Sequence, residues 1–407
     1  MSATNRKNLR TGQSIWQARR LAPIESFELT RDLKADVAIV GAGISGAMAA
    51  DALSESGLKV ALFDRRGPLK GSTPASTALL QYEIDVPLCK LSERIGRERA
   101  ERIWRRSRLA LCALEERAKR LNVKADLFAR DSLYLQGDEL DAEGLRVEAR
   151  ARRRAGFEVV FLEPKEVRTR FGISGRAALL GFGNLCADPR RLAAGFLNAA
   201  LRRGARICAP ATVDAIETHG GGVEARTKHG PVIRARHLVF ASGYELPKGA
   251  PLKGHKIEST FVIATKPQPR RLWPGGCLIW ESASPYLYIR EGPQGRIICG
   301  GEDEPFSDEA KRDALLPMKT AALEAKLARL LPNVDPRADF AWCGSFGGSE
   351  TGAPSIGPLP KMPGCYAILG YGGNGITFSM MAAQMLRGMI AGDGDPDADL
   401  FSFTRKF

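Results

Sequence analysis

The chain has 407 residues, of which 44% are hydrophobic and 26% charged, and it carries a formal net charge of +14 at pH 7. This length carries two or three domains around a large core, and the composition is that of a globular protein, not a disordered or fibrous one. No apolar run approaches 18 residues without charge, which argues against a membrane helix; the cysteines and histidines show no C-x-x-C pair and no ligand spacing, which argues against a zinc site.

The first 24 residues carry Arg6, Lys7, Arg10, Arg19 and Arg20, no acid, and no apolar signal-peptide core. A basic arm over residues 1–31 is expected, and scattered cysteines fit a reducing, cytoplasmic setting. Val37 to Val40 is a short apolar run, readable as a buried strand of a parallel sheet. Gly41, Gly43 and Gly46 then spell G-x-G-x-x-G. Gly41 permits a tight turn, Gly43 lets a pyrophosphate approach the backbone, and Gly46 lets the next helix pack on the strand. Ala47 to Glu55 is rich in helix formers, with Gly57 as a stop. Lys59 to Phe63 reads as a second strand ending on Asp64, 18 positions after Gly46, where an acid binds a ribose hydroxyl. Strand, glycines, helix, strand and acid in one unit specify a dinucleotide on a helix N-terminus, but not which dinucleotide.

From Gly67 to Thr77 the sequence is loop-like, and Ser72, Thr73, Ser76 and Thr77 are small donors suited to phosphate or flavin oxygens. Leu91 to Leu121 places Ile103, Trp104, Leu111, Leu114, Ala118 and Leu121 at helical spacing, with arginines on the other face. That face reads as solvated; an acidic partner such as RNA is the alternative, but no RNA-binding signature accompanies the charge. Ser132 to Leu135 has the β-rich core of a strand, and Asp138 to Ala155 reads as a helix. Asp188 at an N-cap and Pro189 at the first helical position start a helix reaching Leu201. Arg206 to Cys208, Thr212 to Glu217, Gly222 to Thr227 and Val232 to Ala235 suggest a small antiparallel meander. His237 to Phe240 is a strand, followed by Ala241-Ser242-Gly243, a small-residue turn that can pass close to a bound cofactor. Alternating apolar segments from Glu258 to Gly301 suggest a second, mostly antiparallel sheet. Tyr366 to Gly392 reads as strand, glycine turn and helix.

Taken in order, Gly41 to Gly46 with Asp64, "GSTPASTALLQ", "ADPRRLAAGFLNAALRRGARI", "VFASGYELP", "SETGAPSIGPLP" and "GYGGNGITFS" carry a family likeness. The chain resembles flavoproteins of the D-amino acid oxidase superfamily over nearly its full length, in the branch of γ-glutamylputrescine oxidase and sarcosine oxidase-like proteins. The resemblance implies an α/β fold, α+β overall. A Rossmann-like FAD-binding domain would be built from the discontinuous segments 32–90, 160–246 and 341–407, and a mostly antiparallel-sheet substrate domain from 91–159 and 247–340. It implies FAD, non-covalently bound. Gly41, Gly43 and Gly46 with Asp64 would hold its adenosine and pyrophosphate, and Gly372, Gly373, Asn374, Gly375, Ile376 and Thr377 would face the flavin pyrimidine. Ile44, Ser45, Arg65, Leu79, Val213, Gly243 and Gly344 would add contacts to Ser72, Thr73, Ser76, Thr77 and Ser242. The implied reaction is oxidation of a C–N bond in a primary or secondary amine, or an N-substituted amino acid, to an imine by hydride transfer to flavin.

Relatives acting on glycine or D-amino acids hold the substrate carboxylate with arginines where this chain has Phe346 and Gly373, so a free α-amino acid is not the expected substrate. Tyr286, Tyr288 and Arg290 are the candidate substrate contacts, with Trp280, Glu281, Glu302 and Asp303 nearby. Aromatics with an acid suit a cationic amine, and Arg290 suits a remote carboxylate. Cys343, near the place where sarcosine oxidase relatives attach flavin, reads as a buried structural cysteine. The lysine that some relatives use to activate oxygen has no counterpart in "GRIICGGED", which leaves oxidase and dehydrogenase both open. Three rival readings stand beside this one: a flavoprotein tailoring an aminomethyl group on tRNA, a flavin-binding subunit of a larger dehydrogenase, and a nicotinamide dehydrogenase. No metal, membrane or nucleic-acid partner is expected, and oligomeric state is not legible.

Overall fold

The computed structural model describes residues 3–228, 230–251, 254–392 and 394–406; His229 lies outside the described residues. The apolar run ending at Val40 is hydrogen-bonded on both sides. Leu33–Val40 runs parallel to Val60–Phe63 and to Val232–Phe240, and Val37 and Ile39 are fully buried. Such a strand, covered on both faces, needs continuous rather than alternating apolar character. It is central in an eight-stranded sheet whose path is Ser355–Pro358, Cys365–Leu369, Val232–Phe240, Leu33–Val40, Val60–Phe63 and Arg206–Cys208. On one face the helices Ile44–Glu55, Pro189–Arg202 and Gly375–Ala391 close a core through Leu53, Leu197, Phe378 and Leu386. On the other face the hairpin Val213–His219 and Gly222–Thr227 brings Val223 and Ala225 against Ala38, Phe63 and Phe240.

A second sheet of ten strands runs Arg10–Gly12, Ala338–Ser349, His255–Thr265, Ile297–Glu304, Tyr288–Glu291, Leu278–Glu281, Phe128–Leu135, Ala178–Cys186 and Leu79–Leu80, with Val159–Leu162 added beside Ala178–Cys186. It is antiparallel except where Leu278–Glu281 meets Phe128–Leu135. Helix Glu309–Leu330 covers it, with Leu323 and Leu327 buried against Phe261, Ile263 and Ile297. No described helix is long and apolar enough to cross a membrane, and no group of metal-ligating side chains occurs among the described residues.

Five expectations are corrected. Arg206–Cys208 is not part of the antiparallel meander; it runs parallel to Val60–Phe63 as the edge of the first sheet, where Ile207 and Cys208 are buried. Val232–Phe240 is one strand rather than two, pairing antiparallel with the hairpin at its start and parallel with Leu33–Val40 along its length. The Leu91 to Leu121 segment is broken at Gly96 (φ +87°) into Leu88–Ile95 and Arg97–Arg120. Its basic face is also not simply solvated. Arg117 donates to both oxygens of buried Asp51 (2.7 and 2.9 Å), Arg106 to Asp395 (3.2 Å) and Arg102 to Asp397 (2.8 Å). Lastly, the segment boundaries cut through packed elements. Leu79–Leu80, Ala178–Cys186 and Ala338–Ser349, assigned to the nucleotide half, belong to the second sheet. Arg97–Arg120, assigned to the substrate half, packs in the core beneath the first.

The N-terminal arm is built into the fold. Arg10–Gly12 pairs with Ala338–Ser349, and Trp16, 1% exposed, donates from Nε1 to the Ser76 carbonyl (2.7 Å). The start of helix Pro189–Arg202 matches the sequence reading: the Asp188 carboxylate accepts from the amides of Arg190 (3.0 Å) and Arg191 (3.1 Å). It also accepts from Arg19 at 2.8 Å, which ties the arm to this helix. Asp188→Ala is expected to destabilise the protein by about 2 kcal/mol, the upper range for losing an N-cap, read as a lower urea midpoint with an unchanged slope.

Candidate active site

The parallel strands Leu33–Val40 and Val232–Phe240 end side by side, with Val40 opposite Phe240. Their turns therefore leave the sheet together at its C-terminal edge, the place where open α/β sheets bind ligands. Gly41 lies at φ +114°, and a Cβ there would overlap the Ala241 carbonyl. A Cβ on Gly46 would overlap the Gly41 carbonyl, so Gly46 is a packing residue. Gly43 is different: a Cβ there would meet only Thr73 Oγ1, at 3.1 Å, and the space beyond is cavity. Asp64 accepts the Ala42 amide on Oδ2 (2.9 Å) and the Arg66 and Gly67 amides on Oδ1 (2.8 and 3.1 Å). It thus braces the glycine loop as well as lining the cavity. Burial raises its pKa above the usual carboxylate range, opposed by those amides. Arg65 and Arg66 both grip Glu245 and donate to the Lys7 carbonyl, so their charges are spent locally rather than held out for a second phosphate.

Two adjoining cavities run along this edge. The one of about 690 Å³ is lined by Gly41, Gly43, Ile44, Ser45, Asp64, Arg65, Ser72, Thr73, Val213, Ser242 and Gly243. It continues through Ile44, Ser45, Ser72, Thr73 and Gly243 into one of about 1180 Å³, lined also by Ser76, Thr77, Leu79, Gly344, Gly372, Gly373, Asn374, Gly375 and Ile376. Residues far apart in the chain are thereby brought to one trough. Two expected contacts fall outside the lining: Gly46, for the packing reason above, and Thr377, whose hydroxyl donates to the Gln81 carbonyl (2.8 Å).

The larger cavity reaches the second sheet, and its far wall is acidic and aromatic. Trp280, Tyr286, Tyr288, Phe346, Tyr244 and Tyr371 line it together with Glu83, Asp85 and Asp303; no lysine, arginine or histidine does among the described residues. The Glu83 side chain is buried. Its Oε1 accepts from Ser132 and Asn184, while Oε2 has no partner. Asp85 Oδ2 accepts the Gly373 amide (2.8 Å), and the Tyr286 hydroxyl stands near the same carboxylate at the Gly373 turn. Burial raises the Asp85 pKa, with the Gly373 amide and Tyr286 opposing it. Asp303 is pushed up to about 7, chiefly by burial and further by Glu258, Asp85 and Glu302, against a hydrogen bond with Thr260. Burial also raises the phenols of Tyr286 and Tyr288 well above 10, so both stay protonated. Their rings lie 5.5 Å apart.

Tyr286 and Tyr288 face the cavity, but Arg290 does not, which corrects its reading as a substrate contact. Its guanidinium is buried and donates to the carbonyls of Ala78 (2.7 Å), Ala187 (2.9 Å) and Glu291 (2.8 Å). Glu281 is taken by Arg176 and the Leu287 amide, and Glu302 by Lys319 and Lys326. Cys343 is not in the lining; its Sγ lies 3.5 Å from Asp313, and burial pushes the thiol up to about 11. Sequence reasoning missed Gln81, Glu83 and Asp85. The run "LLQYEID" looks like the end of a loop, and beyond the short strand Leu79–Leu80 it is irregular backbone, so the alternation of its polar residues was the only signal that they share a face.

The trough fits an elongated dinucleotide with a flat polar ring. A glycine turn without a Cβ and the N-termini of helices Ile44–Glu55 and Gly375–Ala391 open onto it, and buried Asn374 Oδ1 and Gln81 Nε2 stand partnerless in its wall. Residues 36–389 match the model of a family described as FAD dependent oxidoreductase. The chain belongs to that family. This FAD dependent oxidoreductase is 26% identical to the probable oxidoreductase OrdL of Rhizobium meliloti, over 88% of this chain and 83% of that one. It is 24% identical to the tRNA 5-methylaminomethyl-2-thiouridine biosynthesis bifunctional protein MnmC of Cupriavidus necator, over 95% of this chain and 61% of that one. Among solved structures, glycine oxidase from Geobacillus kaustophilus superposes with a TM-score of 0.74 at 23% identity, covering 92% of this chain and all of that one (100%). Gly43→Val is expected to leave the far-ultraviolet circular dichroism unchanged and to give protein purified without its visible flavin band.

Proposed function

We propose that this FAD dependent oxidoreductase oxidises the C–N bond of a cationic primary or secondary amine to an imine. The observation that carries the reading is the larger cavity's wall: three carboxylates and several aromatic rings, with no basic side chain among the described residues. A positive ligand is drawn to such a site, and a carboxylate is repelled. Free amino acids are disfavoured further at position 373, where a Cβ would lie 2.7 Å from Asp85 Oδ1 and 3.2 Å from the Tyr286 hydroxyl. The room for a carboxylate-binding side chain there is occupied by an acid.

Bound FAD would supply the two-electron acceptor for the C–N oxidation. Gly41, Gly43, Ile44, Ser45, Asp64, Ser72 and Thr73 would hold its nucleotide half, and Ser76, Thr77, Leu79, Gly344 and Gly372 to Ile376 its ring. The start of helix Gly375–Ala391 sets its positive end against negative charge arising in the cavity. Tyr286 and Tyr288 remain donors and close the wall against water. Asp303 attracts a cation only when ionised.

A second reading, oxidation of an aminomethyl group on a tRNA base, draws on the likeness to the Cupriavidus protein. It needs an open basic track, whereas Arg102, Arg106 and Arg117 are paired with Asp397, Asp395 and Asp51. Salt-sensitive tRNA binding would favour it, and no binding at low salt would remove it.

The test is anaerobic bleaching of the visible flavin band of the purified holoprotein. Primary or secondary amines are expected to bleach it and to leave an imine or its hydrolysis product; a band unmoved by every amine defeats the reading. The pH profile has a definite sign. Asp303 is neutral below about 7 and charged above it, so KM for amines should fall as pH rises through that value. Asp303→Asn should remove this limb.

A further inference from the structure

The acidic wall exceeds what a single reacting amine can use. An amine nitrogen must be neutral, its lone pair free, when the neighbouring C–H bond is broken, so it does not compensate buried carboxylates at that moment. Glu83 has Arg152 at 3.9 Å from Oε1. Asp85 and Asp303 have no such neighbour in the cavity wall. The two acids line the same cavity as the Tyr286–Tyr288 pair, whose rings lie 5.5 Å apart. The Tyr286 hydroxyl and Asp85 Oδ1 both crowd the Gly373 turn, and the Tyr288 hydroxyl lies 2.8 Å from Thr260 Oγ1. Asp303 Oδ1 is buried without a partner, as is Oε2 of Glu83, a residue 2% exposed, on the same cavity. Unsatisfied buried carboxylate oxygens beside two phenol rings form a receptor for an ammonium, which offers three donors and a charge that rings and carboxylates both attract.

We propose that the substrate is an alkyl diamine or polyamine, one nitrogen of which reacts while a second, remote ammonium is held between Asp85, Tyr286, Tyr288 and Asp303. This rests on the amine-oxidising reading above and adds to it the requirement for a second charge. Asp85 is fixed for the task by the Gly373 amide, so the receptor is anchored to the same turn that starts helix Gly375–Ala391. Burial raises the pKa of both acids, and an ammonium bound beside them would lower it.

The experiment measures the rate of anaerobic flavin bleaching of the holoenzyme by 1,4-diaminobutane, 1,5-diaminopentane, butylamine and 4-aminobutanoate. The better diamine is expected to exceed butylamine by about 30-fold in kcat/KM, the worth of one desolvated cation–π contact, with 4-aminobutanoate slower than both. Asp85→Asn should collapse the diamine-to-monoamine ratio towards one, and Tyr286→Phe should reduce it. If Asp85→Asn loses flavin, the ratio in Asp303→Asn serves the same purpose. Butylamine reacting as fast as the diamines overturns the remote-ammonium site and leaves amine oxidation standing. No bleaching by any of the amines removes both.

Discussion

The rest of the molecule depends on one close approach, that of the Gly41 turn to the Ala241 carbonyl. Two parallel strands end at the same level, and the backbone at their tips is so near that position 41 admits no side chain. This makes a shared edge from which one chain segment turns into helix Ile44–Glu55 and the other into Ser242 and Gly243. The trough between them is a consequence of sheet topology, and segments as far apart in the chain as Ser72, Asp303 and Gly373 come to line it. The second sheet acts as the wall, because strands Tyr288–Glu291 and Ile297–Glu304 present Tyr288 and Asp303 to the open side of the trough.

The first βαβ unit was legible because each residue's role is local. Gly41 needs its φ, Gly46 needs its missing Cβ, and Asp64 ends its strand, all within one short segment. The far half of the trough was legible at Gly372 to Ile376 for a similar reason, since glycines before an apolar helix define a turn and a helix start together. The parts that were not legible depend on partners distant in sequence. Arg290 sits on an alternating strand beside two tyrosines that do face the cavity, and only the tertiary structure shows its guanidinium among the carbonyls of Ala78, Ala187 and Glu291. Glu83 and Asp85 lie in a stretch whose cavity face is created by the turn at Gly373, nearly three hundred residues on.

The charge followed the same rule. A net +14 looks like a surface property, yet the basic helix Arg97–Arg120 uses Arg102, Arg106 and Arg117 to fasten the C-terminal segment and helix Ile44–Glu55 to itself. Segment boundaries failed for a related reason. Short strands such as Leu79–Leu80 cross from one half to the other and couple the sheets, so the halves share walls rather than meeting across a linker.

Arg290 has a wider meaning than its exclusion from the cavity. A buried cation bonded to backbone carbonyls holds main chain and is indifferent to which side chains that main chain carries. The loop ending at Ala78, the end of strand Ala178–Cys186 and the strand bearing Tyr288 are riveted together by this one guanidinium. Side chains projecting from that frame, Tyr288 among them, are free to be exchanged while the frame stays put. On this side of the trough the backbone frame and the cavity lining are therefore held by different interactions, the one by a cation on carbonyls and the other by side chains.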